Sequence, residues 1–549
     1  MPFPQDGGEL AVTLVTIICD LTLKKALLMS RCSLPFLCAL ACAAVIPDAA
    51  LAVPYASRVT IGPPNALFAV EESAPTVSFI LNEAADQLGY RINGGAMRWL
   101  DGTTSGAKSF PLTSLSDSFE IIAKKSETSG YTIPTGAIIP AHINGLSQPA
   151  SAAGFNLVSD DNNLLTKFNS PRGVAVNANP NSPFFGVSYV VNSAAGSTST
   201  GLRTLDDGVY ALNSDGSDAF GYGDFAGNPN LLFSPASANS GYRVVVGGDG
   251  DVYVCDFSDV SGGVVRLSPE LSMGNNLLGF PGGPAGGLSP DANHGSVSAL
   301  YVEGSPYDGS LVLYTIDEDL TSSHFGGATA DDRNSLWKYE LGYEMDTSMI
   351  QPTKVNDSNV LIPLVSADFD RGADGKFYLS QLRNGAPQAG IFVLDENGAL
   401  LYDSLTASRQ LYNDPTIADV MRNVMGIAIS PDQKWLAALL RNSDVAILPV
   451  VDGIPDLTSL MVVDTAPDVF SGRDVAFDAA GNLHYVSSGQ QLYRVLSPGG
   501  TTFATTSWNG QSFSFNVSGV PEPRCWELVS ATFITLGVWG QQLRRRPRV

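Results

Sequence analysis

The chain is 549 residues long, with 54 acidic against 31 basic residues and a formal net charge of −23. That balance argues against a nucleic-acid partner, because phosphate binding needs a basic surface. Charged residues are only 15% of the chain against 55 glycines and 34 prolines, which disfavours coiled coils and favours strands and turns; 44% hydrophobic residues suffice for a sizeable core.

Residues 1–52 read as an address rather than as fold. An apolar run at 34–46 (LPFLCALACAAVI) follows Met29-Ser30-Arg31 and precedes Ala50-Leu51-Ala52. A basic start, a short apolar core and an A-x-A end predict a secretory signal cleaved after Ala52, with Ala50 and Ala52 as the small residues of the site. The run is too short to span a membrane comfortably. On this reading Met29 is the true start; a genuine long leader is the alternative. Four of the six cysteines (Cys19, Cys32, Cys38, Cys42) fall in this segment, leaving Cys255 in the body and Cys525 near the end. No disulfide framework or cysteine zinc site can be built from those two. Without residues 1–52 and 521–549, 23 basic residues face 48 acidic ones. Such a surface keeps a protein soluble and could hold cations or repel anionic polymers.

Residues 53–140 form a unit of their own. The runs 77–83 (VSFILNE) and 119–123 (FEIIA) are strand-like, with glycine-rich turns between them. The stretch 76–125 resembles a small Ig-like β-sandwich of bacterial surface proteins, although no cysteine pair marks it. Residues 141–164 read as a linker.

From 165 to 508, short β-rich runs recur between Gly, Asp and Asn. Six runs look like equivalent starts: 173–177 (GVAVN), 243–246 (RVVV), 297–300 (VSAL), 367–370 (ADFD), 426–430 (GIAIS) and 474–478 (DVAFD). Each can be followed to a glycine turn and an aromatic-centred strand, as in 250–254 (GDVYV), 375–379 (GKFYL) and 481–486 (GNLHYV). A third strand follows, as in 208–212 (GVYAL) and 390–394 (GIFVL), then turns such as Asp395-Glu396-Asn397-Gly398 suited to positive φ. A unit of four short antiparallel strands cannot bury both faces alone, whereas stacking such units around an axis can. The expected class is all-β: a six- or seven-bladed β-propeller behind the small Ig-like domain, with a solenoid or a sandwich as competitor. The phrases 170–176 (SPRGVAV), 430–432 (SPD) and 478–483 (DAAGNL) resemble NHL-type and gluconolactonase-like propellers.

The chemistry is sparse. His142, His294, His324 and His484 are far apart in sequence, and no G-x-S-x-G elbow supports a serine nucleophile. Carboxylates remain. Asp368, Asp370 and Asp374 cluster in 367–375 (ADFDRGADG), and alternate positions put Asp368 and Asp370 on one side of a strand. Oxygen clusters suit calcium, although the EF-hand pattern fails for want of its final Glu, and Asp-Gly closes turns without any metal. In a propeller, residues at the starts of the innermost strands line one end of the channel. Here they are Arg172, Arg243, His294, Asp368, Asn423 and Arg473. The gluconolactonase resemblance implies a divalent cation there, held by acidic and amide groups. Three arginines suit a carboxylate or sugar-acid ligand instead, or pair structurally with neighbouring carboxylates.

Residues 509–519 read as a second linker, ahead of a terminal signal at 520–549. Pro521-Glu522-Pro523 precedes an apolar stretch at 526–543 and the cluster Arg544, Arg545, Arg546. Prolines keep the motif extended, and the arginines stay on the cytoplasmic side of a membrane. This arrangement resembles the PEP-CTERM sorting signal, with Arg524, Glu527, Gln541 and Gln542 as departures. The resemblance implies an exosortase as partner, transient anchoring in the inner membrane by the C-terminal helix, then release to the cell surface or extracellular matrix. There the body would meet extracellular polysaccharide or surface proteins. The sequence thus predicts a sorted binding or scaffold module; the rival is an exported lactonase-like hydrolase with a divalent cation.

Overall fold

The structure is a computed structural model, and it describes residues 54–62, 74–125, 142–143, 146–147, 151–152, 155–227, 241–257, 263–279, 297–317, 335–343, 352–356, 367–382, 388–463, 471–498 and 502–518. The expected signal cleavage at Ala50 and Ala52 and the sorting signal from Pro521 to the arginine cluster lie outside them. Among the described residues, no helix is long and apolar enough to cross a membrane.

Six antiparallel sheets follow one another among the described residues. Their innermost strands are Pro171–Val176, Arg243–Val246, Val297–Glu303, Ala367–Arg371, Val424–Ile429 and Gly472–Phe477. Each overlaps one of the six runs found in the sequence. Each lies beside the innermost strand of the next sheet, and the sixth lies beside the first, so the ring closes as a β-propeller. Within each blade, the second and third strands pair outward in order, as Val252–Asp256 and Gly263–Leu267 do in the second blade.

The blades cohere through six hydrophobic cores, one between each neighbouring pair. The second strands are therefore buried on both faces, which is why Ser188–Asn192, Val252–Asp256 and Trp435–Leu440 show no polar alternation. Close approach dictates two glycines. A Cβ on Gly173 would lie 2.8 Å from the Tyr242 carbonyl oxygen, and one on Gly426 would lie 2.8 Å from Asp474 Cα. Either would force two innermost strands apart.

The sequence boundaries need two corrections. The segment taken as the linker 141–164 holds Phe155–Leu157, which pairs with Leu492–Pro498 and supplies the outer strand of the sixth blade. Ser151–Ala152 adds in parallel to Met461–Val463 at the edge of the fifth. These strands are too short to show a period.

The second correction concerns the other end. Thr502–Trp508 and Phe513–Ser518 belong neither to the propeller nor to a linker. They pair onto Phe119–Lys125 and complete a five-stranded sheet with Gln87–Ile92 and Arg98–Leu100. This sheet faces a three-stranded one of Ala56–Gly62, Thr76–Leu81 and Gly106–Pro111. Val77, Phe79, Phe110, Tyr90, Phe119 and Ile121 fill the space between, with the Tyr90 and Phe110 rings stacked at 4.0 Å. Thr502, Ala504 and Thr506 face inward, so small and polar residues concealed the strand pattern.

The sandwich stands on the propeller face where innermost strands end. Arg58 donates to Asn213 Oδ1 and to the Ala219 carbonyl, both at 2.9 Å, and its backbone N–H donates to the Phe185 carbonyl. Tyr55 packs edge to face against both Phe185 and Phe515, which are tilted against each other, at the same junction. All these propeller residues follow a first or third strand, both of which run the same way. The opposite face, where innermost strands begin, carries no sandwich residue in any of these contacts.

Candidate functional site

The propeller channel has two chemically distinct parts. Its cavity, about 470 Å³, is walled by Val174, Val176, Val244, Val246, Leu300 and Ile427, among other innermost-strand residues, and reaches Gly248 and Gly304 at the trailing mouth, where the strands end. At the other end stand Arg243, Asp368 and Asp474. Arg172 and Arg473 do not line the cavity; they lie at the leading mouth, where the strands begin.

Arg243 forms a septum between the two. Its side chain is 3% exposed; Nε lies 3.4 Å from Asp368 Oδ1 and 3.8 Å from Asp474 Oδ1. Nη1 donates to the Arg172 carbonyl at 2.7 Å and Nη2 to the Met425 carbonyl. Burial works against its charge, but the two carboxylates outweigh it and hold the pKa above the ordinary arginine value. Asp368 and Asp474 are each pushed up by burial, partly offset by Arg243, and Asp474 reaches about 8.

The same carboxyls staple blades together. An innermost strand has one unpaired edge, and its N–H groups need acceptors. Asp368 Oδ2 accepts from Ile427 N at 2.9 Å, and Asp474 Oδ2 from Val174 N at 2.8 Å. Asp370 Oδ2 accepts from Ile429 N at 2.9 Å, and its other oxygen from Arg371 N. Burial raises Asp370 to about 6.

The calcium set expected from the sequence therefore does not assemble. Asp368 and Asp370 are engaged by backbone amides, and Asp374 pairs with Lys376 in the following turn. Among the described residues, no group of three His, Cys, Asp or Glu side chains is arranged to hold a metal. The divalent cation implied by a lactonase-like site fits no better, because Arg243 already supplies the positive charge between the channel carboxylates.

Arg172, Arg243, Asp368 and Arg473, four of the six mouth residues expected from the sequence, do come together. Asn423 sits beside them with its carbonyl accepting from Arg441 N at 2.8 Å, and His294 lies outside the described residues. Arg172 and Arg473 repeat one local design on adjacent blades. Arg172 Nε donates to Ser193 Oγ at 3.3 Å, and Arg473 Nε to Ser488 Oγ at 2.9 Å. Each serine follows the second strand of its blade. Burial first, then Arg172 and the further cations Arg243 and Arg441, push Arg473 down to about 10. Sequence reasoning missed Arg441, which lies in a turn, and Asp474, which has the same early position in its innermost strand as Asp368.

A second constellation is sealed. His484 Nδ1 lies 2.8 Å from Tyr493 Oη and 3.3 Å from Ser188 Oγ, and its Nε2 is 3.5 Å from Asp478. The set has a triad's residue types, yet Ser188, His484 and Asp478 are each at most 2% exposed. The Tyr55 hydroxyl of the sandwich is pushed well above the ordinary tyrosine value by burial and then by the nearby Asp478 carboxylate. A substrate has no route to this serine.

No family model and no curated protein matches the chain. Solved structures do. A protein of unknown function from Bacteroides thetaiotaomicron aligns with a TM-score of 0.36 at 11% identity, over 80% of this chain and 98% of that one. A gluconolactonase from Xanthomonas campestris aligns with a TM-score of 0.35 at 12% identity, over 68% and 99%. A virginiamycin B lyase from Staphylococcus aureus aligns with a TM-score of 0.32 at 12% identity, over 66% and 87%.

Proposed function

We propose that the chain is an exported, exosortase-sorted surface protein whose propeller binds a ligand at its leading mouth and does not hydrolyse it. The observation that carries this reading is the division of labour among the arginines. Arg243 occupies the channel carboxylates that a cation-dependent hydrolase needs, whereas Arg473 meets no carboxylate among the described residues. A half-buried guanidinium pressed by neighbouring cations is costly to keep without a ligand.

The surface location rests on the terminal sequences. The A-x-A site after residue 49 and the Pro521-Glu522-Pro523, apolar and arginine segments are read by export and sorting machinery. An extracellular matrix is then the setting in which the module meets polysaccharide or surface proteins.

Two measurements test this. Mass spectrometry of the surface form in an exosortase-positive strain should find the chain starting at Val53 and lacking residues 526–549; an intact tail there overturns sorting. Purified protein should show no lactone hydrolysis with or without added calcium or zinc. Turnover that a chelator abolishes would establish the hydrolase instead.

A further inference from the structure

The channel cavity behind the Arg243 septum opens at the trailing mouth, on the opposite face from the leading mouth. We infer that it is a second binding site, which takes the amino-terminal end of an extended peptide whose main chain pairs with open strand edges of the second and third blades. Residues of an antiparallel strand alternate between bonding the neighbouring strand and facing away from it. In an innermost strand, those that face away address the channel. Val174, Ile427 and Ile429 do so, since their N–H groups reach Asp474, Asp368 and Asp370 of the preceding blades. Val174 and Ile427 stand opposite Val190 and Ala438, each two residues before the end of its second strand. Val244 and Leu300 hold that position in the second and third blades, opposite Val254 and Thr315. Val246 and Val302 follow two residues on, as Ile429 follows Ile427, and all four line the cavity.

Carboxyls cap one side of the ring and leave the other open. Asp370 serves Ile429 N and Arg371 N, and Asp474 serves Val174 N and Val475 N. The register position of Asp370 is held by Val245 in the second blade and Tyr301 in the third. Valine carries no acceptor, and among the described residues none meets the N–H groups of Val244, Val246, Leu300 or Val302. On each edge the two donors stand about 7 Å apart with carbonyls on the same side, the pattern to which an added strand pairs. The cavity, about 470 Å³, is large enough for a small ligand. The four wall residues Arg243–Val246 match about 13 Å of extended chain. Charge selects the end that enters. Glu303, Asp368, Asp370 and Asp474 line the cavity with Arg243 as the one lining cation among the described residues, and Arg371 answers Glu303 from outside the lining. A peptide ammonium is drawn into such a field and a carboxylate is repelled. The six turns around this mouth, each joining a first strand to a second, are all described, and no described sandwich residue lines the cavity.

The test is calorimetric titration of the full mature protein with four probes: tetra-alanine, its amino-acetylated form, a tetra-alanine N-methylated at its internal amides, and a neutral trisaccharide. Tetra-alanine should bind. Acetylation should weaken it by about tenfold or more, the worth of a charge-assisted contact. N-methylation, which removes the main-chain donors, should abolish binding, and the sugar should not bind. Val245→Asn places a carbonyl at the register position where Asp370 caps its neighbours, within reach of Val246 N and Val302 N. It should lower affinity by about tenfold, as one or two lost hydrogen bonds would, with the melting temperature unchanged or raised. Arg473→Met, at the other mouth, should leave tetra-alanine binding unchanged. No heat from tetra-alanine leaves the cavity to water and overturns the site. Equal binding of the acetylated peptide overturns the amino-terminal orientation, and equal binding of the N-methylated peptide or the sugar overturns main-chain pairing. Binding indifferent to Val245→Asn, or lost in Arg473→Met, overturns the location. If Val245→Asn melts low, the N-methylated peptide, which leaves the protein untouched, decides alone.

Discussion

Arg243 and Arg473 stand one register position apart in their innermost strands, Arg243 pairing with Cys255 as Asp474 pairs with Val486, and the blade of Arg172 separates their two blades. One is a strut and the other is an open hand. Arg243 is buried with both carboxylates of the channel and two backbone carbonyls around it. Arg473 is half-buried, held by one serine and surrounded by other cations. Residue type therefore decides neither role. What decides is whether a carboxylate from another blade reaches the guanidinium.

The sharpest way to break this contrast is Arg243→Met. It removes the cation but leaves Asp368 and Asp474 buried. Losing one partner of such a cluster typically costs about 3–5 kcal/mol. Denaturant unfolding should show a loss of that order. A loss below about 1 kcal/mol would mean that the septum is not structural. Gly426→Val comes next. Its side chain would meet the backbone of Asp474 and Val475, and overpacking of that kind costs about 1–3 kcal/mol.

Much of this was legible in the sequence. All six innermost strands overlap the short runs, because each run is followed at similar distance by a glycine turn and an apolar second strand buried on both faces. Arg172 and Arg473 were legible as a pair because both precede the same register position in a repeated unit, whereas Arg243, one position further in, lines the channel instead. The closing strand Phe155–Leu157 was not, since three residues carry no period. Thr502–Trp508 was not, since its inward positions are Thr, Ala and Thr. The reversal from calcium site to blade staple at Asp368 and Asp370 was also invisible. It depends on backbone N–H groups of the next blade, 59 positions away in the chain in each case.

The channel carboxyls predict an unusual pH response. Burial raises Asp474 to about 8 and Asp370 to about 6 in the folded state, against ordinary values near 4 when unfolded. A raised carboxyl pKa means that the folded state holds the proton more tightly. Its contribution is full below about pH 4 and is lost as pH rises through the folded value. The melting temperature should therefore rise by a few degrees as pH is lowered from 8 to 6, with the Asp370 contribution extending towards 4. Asp474→Asn keeps an acceptor for Val174 N and should flatten the slope between pH 6 and 8. A wild-type slope of the opposite sign would show that both carboxyls stay ionised against Arg243.

The smallest expected effect is the most telling for the comparison. Arg473→Met removes one hydrogen bond to Ser488 but also relieves repulsion from Arg172, Arg243 and Arg441. Its folded pKa is lowered, so at neutral pH the charge is held less readily folded than unfolded, and deleting it removes that handicap. The lost hydrogen bond is worth about 1 kcal/mol, and the relieved repulsion and burial offset it. Stability in low salt should stay within about 0.5 kcal/mol of the wild type or rise. Adding salt screens the repulsion and should stabilise the wild type more than the variant. A stability loss of several kcal/mol, like that at Arg243, would make Arg473 a second strut and remove the physical ground for a binding mouth.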